Sequence, residues 1–527
     1  MTLHHFNNHQ AWPLYVSVFI LLASILFYSL EKTRISLVLL FIGTLCLGFF
    51  IANLDPFLVT WDEQFHALVA KNMLLNPLKP TLYPFPLLGY DVSNWAGNHV
   101  WLHKQPLFLW QIAISLKLFG ISTLAVRLPS IILHAIAALM IFRIGKITMN
   151  ERVGYYGALF FAMAYYILEL VAGKLNTDHN DISFLFYILA SFWARFEYQQ
   201  SKQKRFIMMI GLFAGCAVLV KWLVGLLIYA IWFLTLGIDD KTNWIKIESY
   251  KPFFQSIIIS FLVFVPWQIY SILKFPDEAA FEYSYNTRHF FEALEGHLGD
   301  SWFHFNAFTE IYGAGFAVPF IYTIGLIILL YKIKINAYRY TILLAVVITY
   351  TFYTLAETKM TSFTIIVSPF LFLGLASLID AAIVLLKDKV RIKNFIPTFT
   401  PILLVTICFF LLNPKKIQTN HTYWKPLYNY YREADINQMN FITTTVELLG
   451  NENYVVFNSN VSNKGNIAMM FFTNYIAYDI IPSQEQINEI VSKKYKIAIW
   501  DNGILPSYIM ENKDIIKIQF KFENYSS

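Results

Sequence analysis

Two acidic residues stand side by side in the segment NLDPFLVTWDEQFHA: Asp62 and Glu63, with His66 one helical turn beyond Asp62. If this stretch opens a helix, Asp62 lies near its positive end and His66 shares its face. A carboxylate beside a membrane cavity can take a proton from an attacking hydroxyl when its surroundings tune its pKa. An acidic group in the first turn is also what an ordinary capped helix start looks like. Further on, NHVWLHKQPLFLW sets His103 and Lys104 ahead of Pro106. Lys104 can hold a phosphate as a mobile point charge, or merely snorkel to lipid headgroups. The segment GKLNTDHNDISFLF carries Asp178, His179 and Asp181. Asp178 with distant histidines can make a zinc site, whereas Asp181 suits a helix cap.

Basic residues complete the set. The segment EYSYNTRHFFEALEGHLGDSWFHFN supplies Arg288, His289, His297 and His304, and ETKMTSF supplies Glu357 and Lys359. Lys221 sits in the middle of the apolar stretch GLFAGCAVLVKWLVGL. A lysine there costs roughly 2.5–3.5 kcal/mol on insertion scales unless it pairs or reaches water or phosphate. Lys104, Lys221, Arg288 and Lys359 map to one outer membrane face, which points to an anionic, lipid-like phosphate ligand.

The elements that must carry these groups are membrane helices. Of 527 residues, 57% are hydrophobic and only 14% charged, against about 25% charged in soluble domains. The net charge of +6 is concentrated in short clusters between apolar runs, which describes membrane topology and not a nucleic-acid groove. Cys46, Cys216 and Cys408 lie inside apolar runs and read as small buried hydrophobes. There is no Walker A sequence and no dinucleotide fingerprint.

Apolar runs of spanning length predict crossings at 11–30, 34–52, 124–146, 153–172, 181–198, 206–220, 222–237, 253–273, 307–331, 339–356, 362–386 and 395–413. Residues 107–120 are too short and fit an interfacial helix. The expected architecture is an all-α polytopic bundle of about 12–13 transmembrane helices over residues 1–413, with outer loops 53–106 and 274–306. Lysine and arginine clusters, the last at 387–393, place one set of loops in the cytoplasm and both termini outside. This orientation requires 206–237 to be two crossings that turn near Lys221. The tail, 414–527, carries β-prone stretches at 454–458 and 495–500 and reads as a small extracytoplasmic α/β domain.

These motifs together resemble the GT-C superfamily of membrane glycosyltransferases that use polyprenyl-phosphate sugars. The resemblance is strongest to bacterial relatives of the lipid A aminoarabinose transferase and of the protein O-mannosyltransferases. It covers roughly residues 50–375. WDEQFHA is similar to the family's acidic first-loop motif, and HKQPLFLW to its acidic-Lys-Pro-Pro-Leu motif, with His103 in the acidic place and Gln105 for the first proline. AVRLPS, TDHNDISF, the Lys221 stretch, EGHLGDSW and KMTSFTIIVSPFLFLGLA follow in the family's order, with Phe363 where the family has tyrosine.

The resemblance implies a GT-C-like bundle in a bacterial inner membrane, with the active site and C-terminal domain facing the periplasm or exterior. A sugar would pass from a polyprenyl-phosphate donor to a lipid A, glycan or protein acceptor. Asp62 would be the catalytic carboxylate, supported by Glu63, and Asp178 is the only nameable nucleophile if the reaction were a double displacement. Lys104, Lys221, Arg288 and Lys359 would bind donor phosphate. His103, Asp178 and His297 would correspond to a zinc site. Single-displacement inversion is the simpler expectation. The alternative is a transporter or flippase for an anionic polyprenyl-linked lipid, and nucleic acid is not an expected partner.

Overall fold

The computed structural model describes residues 8–238, 241–387, 396–421, 426–450 and 452–522. Among the described residues, the long apolar runs before Asn413 become helix, because backbone groups in lipid must pair within the helix. Among the described residues, seven helices are long and apolar enough to cross a membrane: Trp12–Ser29, Thr33–Ala52, Thr123–Thr148, Lys204–Thr235, Ile247–Lys274, Thr361–Leu386 and Phe399–His421. The protein is therefore a polytopic, mostly helical membrane protein. The last basic cluster, apart from Lys387, lies outside the described residues.

Several expected spans have a different character. The run at 153–172 is broken into Glu151–Ala162 and Tyr165–Val171, bent by 54°; Ala164 adopts an extended conformation that interrupts the helical hydrogen bonds. The expected spans at 181–198 and 339–356 are the helices Asp178–Ser201 and Asn336–Leu355. Both are long enough, but their polar residues keep them off the strictly apolar set. Pro106–Phe119 is apolar and 14 residues long, about 21 Å, short of a bilayer core.

The apolar stretch 204–235 folds back on itself. The Lys204–Lys221 helix ends where Trp222 takes a positive φ of 55°. A tight helical turn at Trp222–Leu226 follows, then the Leu227–Thr235 helix. A Cβ on Gly225 would lie 2.4 Å from the Val218 nitrogen and 2.6 Å from the Ala217 carbonyl carbon. Only glycine allows so close an approach. Trp232 then lies beside Tyr198, ring centroids 5.9 Å apart, near the far end of the Asp178–Ser201 helix. The Lys204–Thr235 run, one of the seven by length and composition, is thus two helices joined by a tight turn, and the second, of nine residues, is too short to cross a bilayer by itself.

The chain divides into two compact units. The first comprises Met1–Ala52, Lys104–Phe108 and Ser130–Pro414. Small residues let its helices pack closely: a Cβ on Gly145 would sit 2.4 Å from the Gly154 Cα, and one on Gly325 would sit 2.6 Å from the Gly374 carbonyl oxygen. The second comprises Asn53–His103, Leu109–Pro129 and Lys415–Ser527. Its sheet has four parallel strands in the order Ile476–Ala477, Tyr454–Phe457, Lys496–Trp500, Ile515–Ile518. Helices at Gly465–Phe472 and Gln484–Ser492 connect them, which makes the tail the small α/β domain its β-prone stretches predict.

Candidate active site

In the second unit, Asp62 opens the Asp62–Asn72 helix, with Glu63 beside it in the first turn. Trp61, which precedes it, has φ 77°, a conformation that a bulky residue adopts only when its surroundings enforce it. The surroundings are aromatic: the Trp61 ring packs against Phe65 and Trp95, and the Lys464 ammonium lies 5.4 Å from its centroid. Asp62 is half-buried, at a helix end whose dipole favours a negative charge. His66 is fully buried and meets Trp101 edge-on, so it belongs to the core of this unit.

Glu63 has a different job from its neighbour. Its carboxylate accepts two bonds from the Arg127 guanidinium, at 2.7 and 2.8 Å, and one from the Val59 backbone N–H at 2.7 Å. Arg127 also donates to the carbonyls of Asp55 and Phe57, each at 2.7 Å. The loop before the Asp62 helix is therefore clamped from 55 to 63 by a single buried cation. Asp55 is itself bound by Arg432 and His421, each at 2.7 Å, and Thr60 donates to Asp435. Motif reading gave Arg127 and Asp55 no role. The available signal was an arginine inside an apolar run, which requires a buried partner.

In the first unit the acidic partner of Lys221 is Asp181, with Nζ 2.5 Å from Oδ1. Asp181 also accepts from the Thr177 hydroxyl, which lies 3.1 Å from the Ser362 hydroxyl. The Lys221 ammonium sits 4.6 Å from the centroid of the Phe363 ring. Asp178 is fully buried at the same helix start, with φ 25°, and its carboxylate accepts from the His179 backbone N–H.

Ser362 opens onto a cavity of about 320 Å³ lined by Tyr166, Lys174, Asn176, His297, Glu310 and Lys359, among others. Lys359 is buried and directs its ammonium at the carbonyls of Tyr353, Thr354 and Ala356, where the Asn336–Leu355 helix ends. Its backbone N–H donates to the His297 carbonyl at 3.1 Å, and Glu357 and Thr358 pair with Phe290 and His289 in the same way. The second outer loop is thus stitched to the Lys359 segment. Arg288, on that loop, is exposed and bonded to Glu292 one turn away at 2.7 Å.

Lys104 faces Glu282, which is buried on the Pro276–Phe291 helix. Burial raises the Glu282 pKa to about 8, with Lys104 lowering it and Glu295 raising it. Gln105 accepts from Gln268 at 2.8 Å, Tyr283 donates to Gln268, and Tyr283 packs edge-on against Trp222 at 4.7 Å. This polar chain runs from the Lys104 segment to the residue after Lys221. Glu282 carries no motif signal; its place on the buried face of the Pro276–Phe291 helix, away from the exposed Arg288, singles it out only in three dimensions.

The zinc site implied for His103, Asp178 and His297 is corrected. Among the described residues, no group of three or more His, Cys, Asp or Glu side chains is placed to hold a metal ion. His103 stacks flat on Trp95, ring centroids 4.2 Å apart, and Asp178 turns its carboxylate onto the helix start. His297 lines the cavity beside Lys174 and Lys359 without two further ligand side chains.

Residues 103–270 match the dolichyl-phosphate-mannose-protein mannosyltransferase family. An uncharacterized protein of Aquifex aeolicus is 22% identical over 220 residues, which is 41% of this chain and 40% of that protein. The match therefore spans less than half the length of that relative. Among solved structures, ArnT from Cupriavidus metallidurans bound to undecaprenyl phosphate superposes with a TM-score of 0.60 at 11% identity, covering 86% of this chain and 88% of ArnT. Its apo state gives 0.61 at 12% identity, covering 87% and 88%. The oligosaccharyltransferase AglB from Archaeoglobus fulgidus, in complex with an inhibitory peptide and a dolichol-phosphate, gives 0.51 at 11% identity, covering 84% of this chain and 64% of AglB. The GT-C resemblance carried by the motifs is thus matched by a shared fold.

Proposed function

We propose that this protein is a membrane glycosyltransferase that moves a sugar from a polyprenyl-phosphate donor to an acceptor outside the cytoplasm. The observation that carries the reading is the cavity at the Lys221 end of the first unit. It gathers Lys174, Lys359 and His297 next to the Asp181–Lys221 pair, through Ser362 and Thr177. Lys174 and Lys359 on the wall, the latter with its ammonium on backbone carbonyls, and Lys221 three hydrogen bonds away through Asp181, Thr177 and Ser362, supply positive charge that suits a phosphate. The apolar helices around them suit its polyprenyl tail.

In the proposed reaction, an acceptor hydroxyl attacks the anomeric carbon while the bond from that carbon to the phosphate oxygen breaks. The hydroxyl proton passes to Asp62, and the polyprenyl phosphate leaves with the bonding electron pair. Lysines at the phosphate offset the charge that grows on the leaving oxygen. Asp62 suits the role of base because it is half-buried at a fixed helix start, which the Glu63–Arg127 pair holds in place. One base and a phosphate leaving group favour a single, inverting displacement. The acceptor classes that fit are lipid A, another glycan, or a protein.

Purified protein incubated with radiolabelled undecaprenyl-phosphate sugar and these acceptors tests the proposal. Labelled product is expected, and Asp62→Asn should lower its rate by about 10²–10⁴, the usual worth of a general base. Label that crosses the bilayer with no product formed would instead identify a transporter.

A further inference from the structure

The cavity that holds Lys174 and Lys359 also carries a carboxylate that neither lysine neutralises. Glu310, on the short Phe308–Tyr312 helix, is exposed on the same wall of about 320 Å³. Among the described residues it is the only acidic side chain lining that cavity, and it forms no ion pair. The Thr361 hydroxyl donates to its Oε2 at 3.2 Å, and among the described residues nothing bonds to Oε1. An acidic residue in a first turn is favoured by the helix dipole. A helix of five residues accounts for its presence there, but not for a carboxylate left open beside two cations.

Asn176 is the second open group. Its backbone carbonyl accepts from the Thr177 hydroxyl, while its exposed side-chain amide has no partner among the described residues. That amide offers two donors and one acceptor to the cavity it lines. Lys359 does not compete for Glu310, because its ammonium is engaged by the carbonyls that end the Asn336–Leu355 helix. The wall thus has a cationic part and a part made of a carboxylate and an amide. A bare phosphate would use the first and be repelled by the second. A phosphate that carries a group rich in hydrogen-bond donors would use both.

We infer that Glu310 and Asn176 recognise the sugar of the donor, which presents hydroxyl or amino groups to this wall and has no carboxylate of its own. A carboxylate accepts from such groups and rejects an acidic sugar by like charge. The inference rests on the transferase reading and narrows its donor to neutral or amino sugars.

Displacement of fluorescent undecaprenyl phosphate from the full chain in nanodiscs tests it. The competitors are undecaprenyl phosphate bearing glucose, glucosamine, glucuronic acid or no sugar. Wild type should bind the glucose form more tightly than the sugar-free lipid, and the glucuronic acid form more weakly than the glucose form. Glu310→Gln should weaken the glucose form about tenfold, the worth of one hydrogen bond to a charged group, and bring the glucuronic acid form level with it. Asn176→Ala should weaken the glucose form about fivefold, as for a neutral hydrogen bond. The sugar-free lipid should bind alike in all three proteins. Both positions are exposed, so neither change threatens the fold. A glucosamine form that binds more tightly than the glucose form assigns the contact to an amine, and otherwise it belongs to a hydroxyl. Equal binding of the glucose and glucuronic acid forms to wild type would overturn the inference, as would variants that weaken the sugar-free lipid as much as the glucose form; both results leave phosphate binding standing. No binding of the fluorescent lipid to wild type would remove the transferase reading itself, and this inference with it.

Discussion

Arg127 and Glu63 meet at 2.7 Å within the second unit, and neither side chain reaches solvent. The pair fixes the loop that delivers Asp62, so its loss should act on both stability and activity. Arg127→Met leaves a buried carboxylate without its cation, which costs about 3–5 kcal/mol. Thermal unfolding in detergent should show a clear drop in Tm, with Glu63→Gln milder because it keeps hydrogen-bonding capacity. A wild-type Tm in Arg127→Met would mean that something else holds the loop.

Glu282 predicts a pH dependence of the opposite sign to the usual surface carboxylate. Its pKa is raised by burial from an ordinary 4.5 to about 8, so the folded protein holds this proton where the unfolded chain has released it. The group's contribution to stability is complete below about pH 4.5 and is lost progressively as the pH rises to about 8. Glu282→Gln should be flatter than wild type across that window in a Tm-versus-pH series. Lys104→Ala removes the one cation that lowers the pKa, so it should push the loss to higher pH. Parallel curves for wild type and Glu282→Gln would remove Glu282 from this role.

Lys71 ties the helix that begins at Asp62 to the α/β domain. Its ammonium donates to the carbonyls of Met470, Phe471 and Thr473 at 2.6–2.9 Å, around the end of the Gly465–Phe472 helix. Burial lowers its pKa from 10.5 to about 8. The unfolded chain then binds more protons between those values, so this group makes stability rise with pH from about 8 to 10.5. Lys71→Met should lack that rise and lose roughly 1–3 kcal/mol from carbonyls left short of a donor. Limited proteolysis near 465–473 should quicken. Identical cleavage in the variant would show that the tie is dispensable.

Sequence patterns carried the architecture further than they carried the pairings. The stretches at 454–458 and 495–500 became strands Tyr454–Phe457 and Lys496–Trp500, because short β-branched runs between turn residues have few other options. The turn after Lys221 depends on the positive φ of Trp222 and the close approach at Gly225, and the lysine inside the apolar run was the only local sign of it. Asp62 was placed at a helix start by its neighbours alone. By contrast, choosing between Asp178 and Asp181 as the partner of Lys221 depends on positive φ at Thr177 and Asp178, which sets the phase of the helix. Motif spacing does not encode that phase. Arg288 drew attention as a loop cation, yet an i,i+4 glutamate engages it, and Glu282 turns inward instead. Three separate segments build the Arg127 clamp, so no local window contains it.

The Asp181–Lys221 pair offers a sharper test of phosphate binding than deletion of a cation alone. Asp181 is almost fully buried, and the Lys221 side chain is about one-fifth exposed. If a donor phosphate uses Lys221, it competes with Asp181 for the same ammonium. Asp181→Asn should then tighten donor binding, whereas Lys221→Met should weaken it, each by roughly threefold to tenfold (about 0.7–1.4 kcal/mol). Lys221→Met also strands a buried carboxylate, so its Tm should fall by more than that of Asp181→Asn. Equilibrium binding of fluorescent undecaprenyl phosphate to both variants in nanodiscs measures the contrast. Loss of binding in both would mean that the ion pair orders the cavity as a structural unit, and no change in either would place the phosphate away from Lys221.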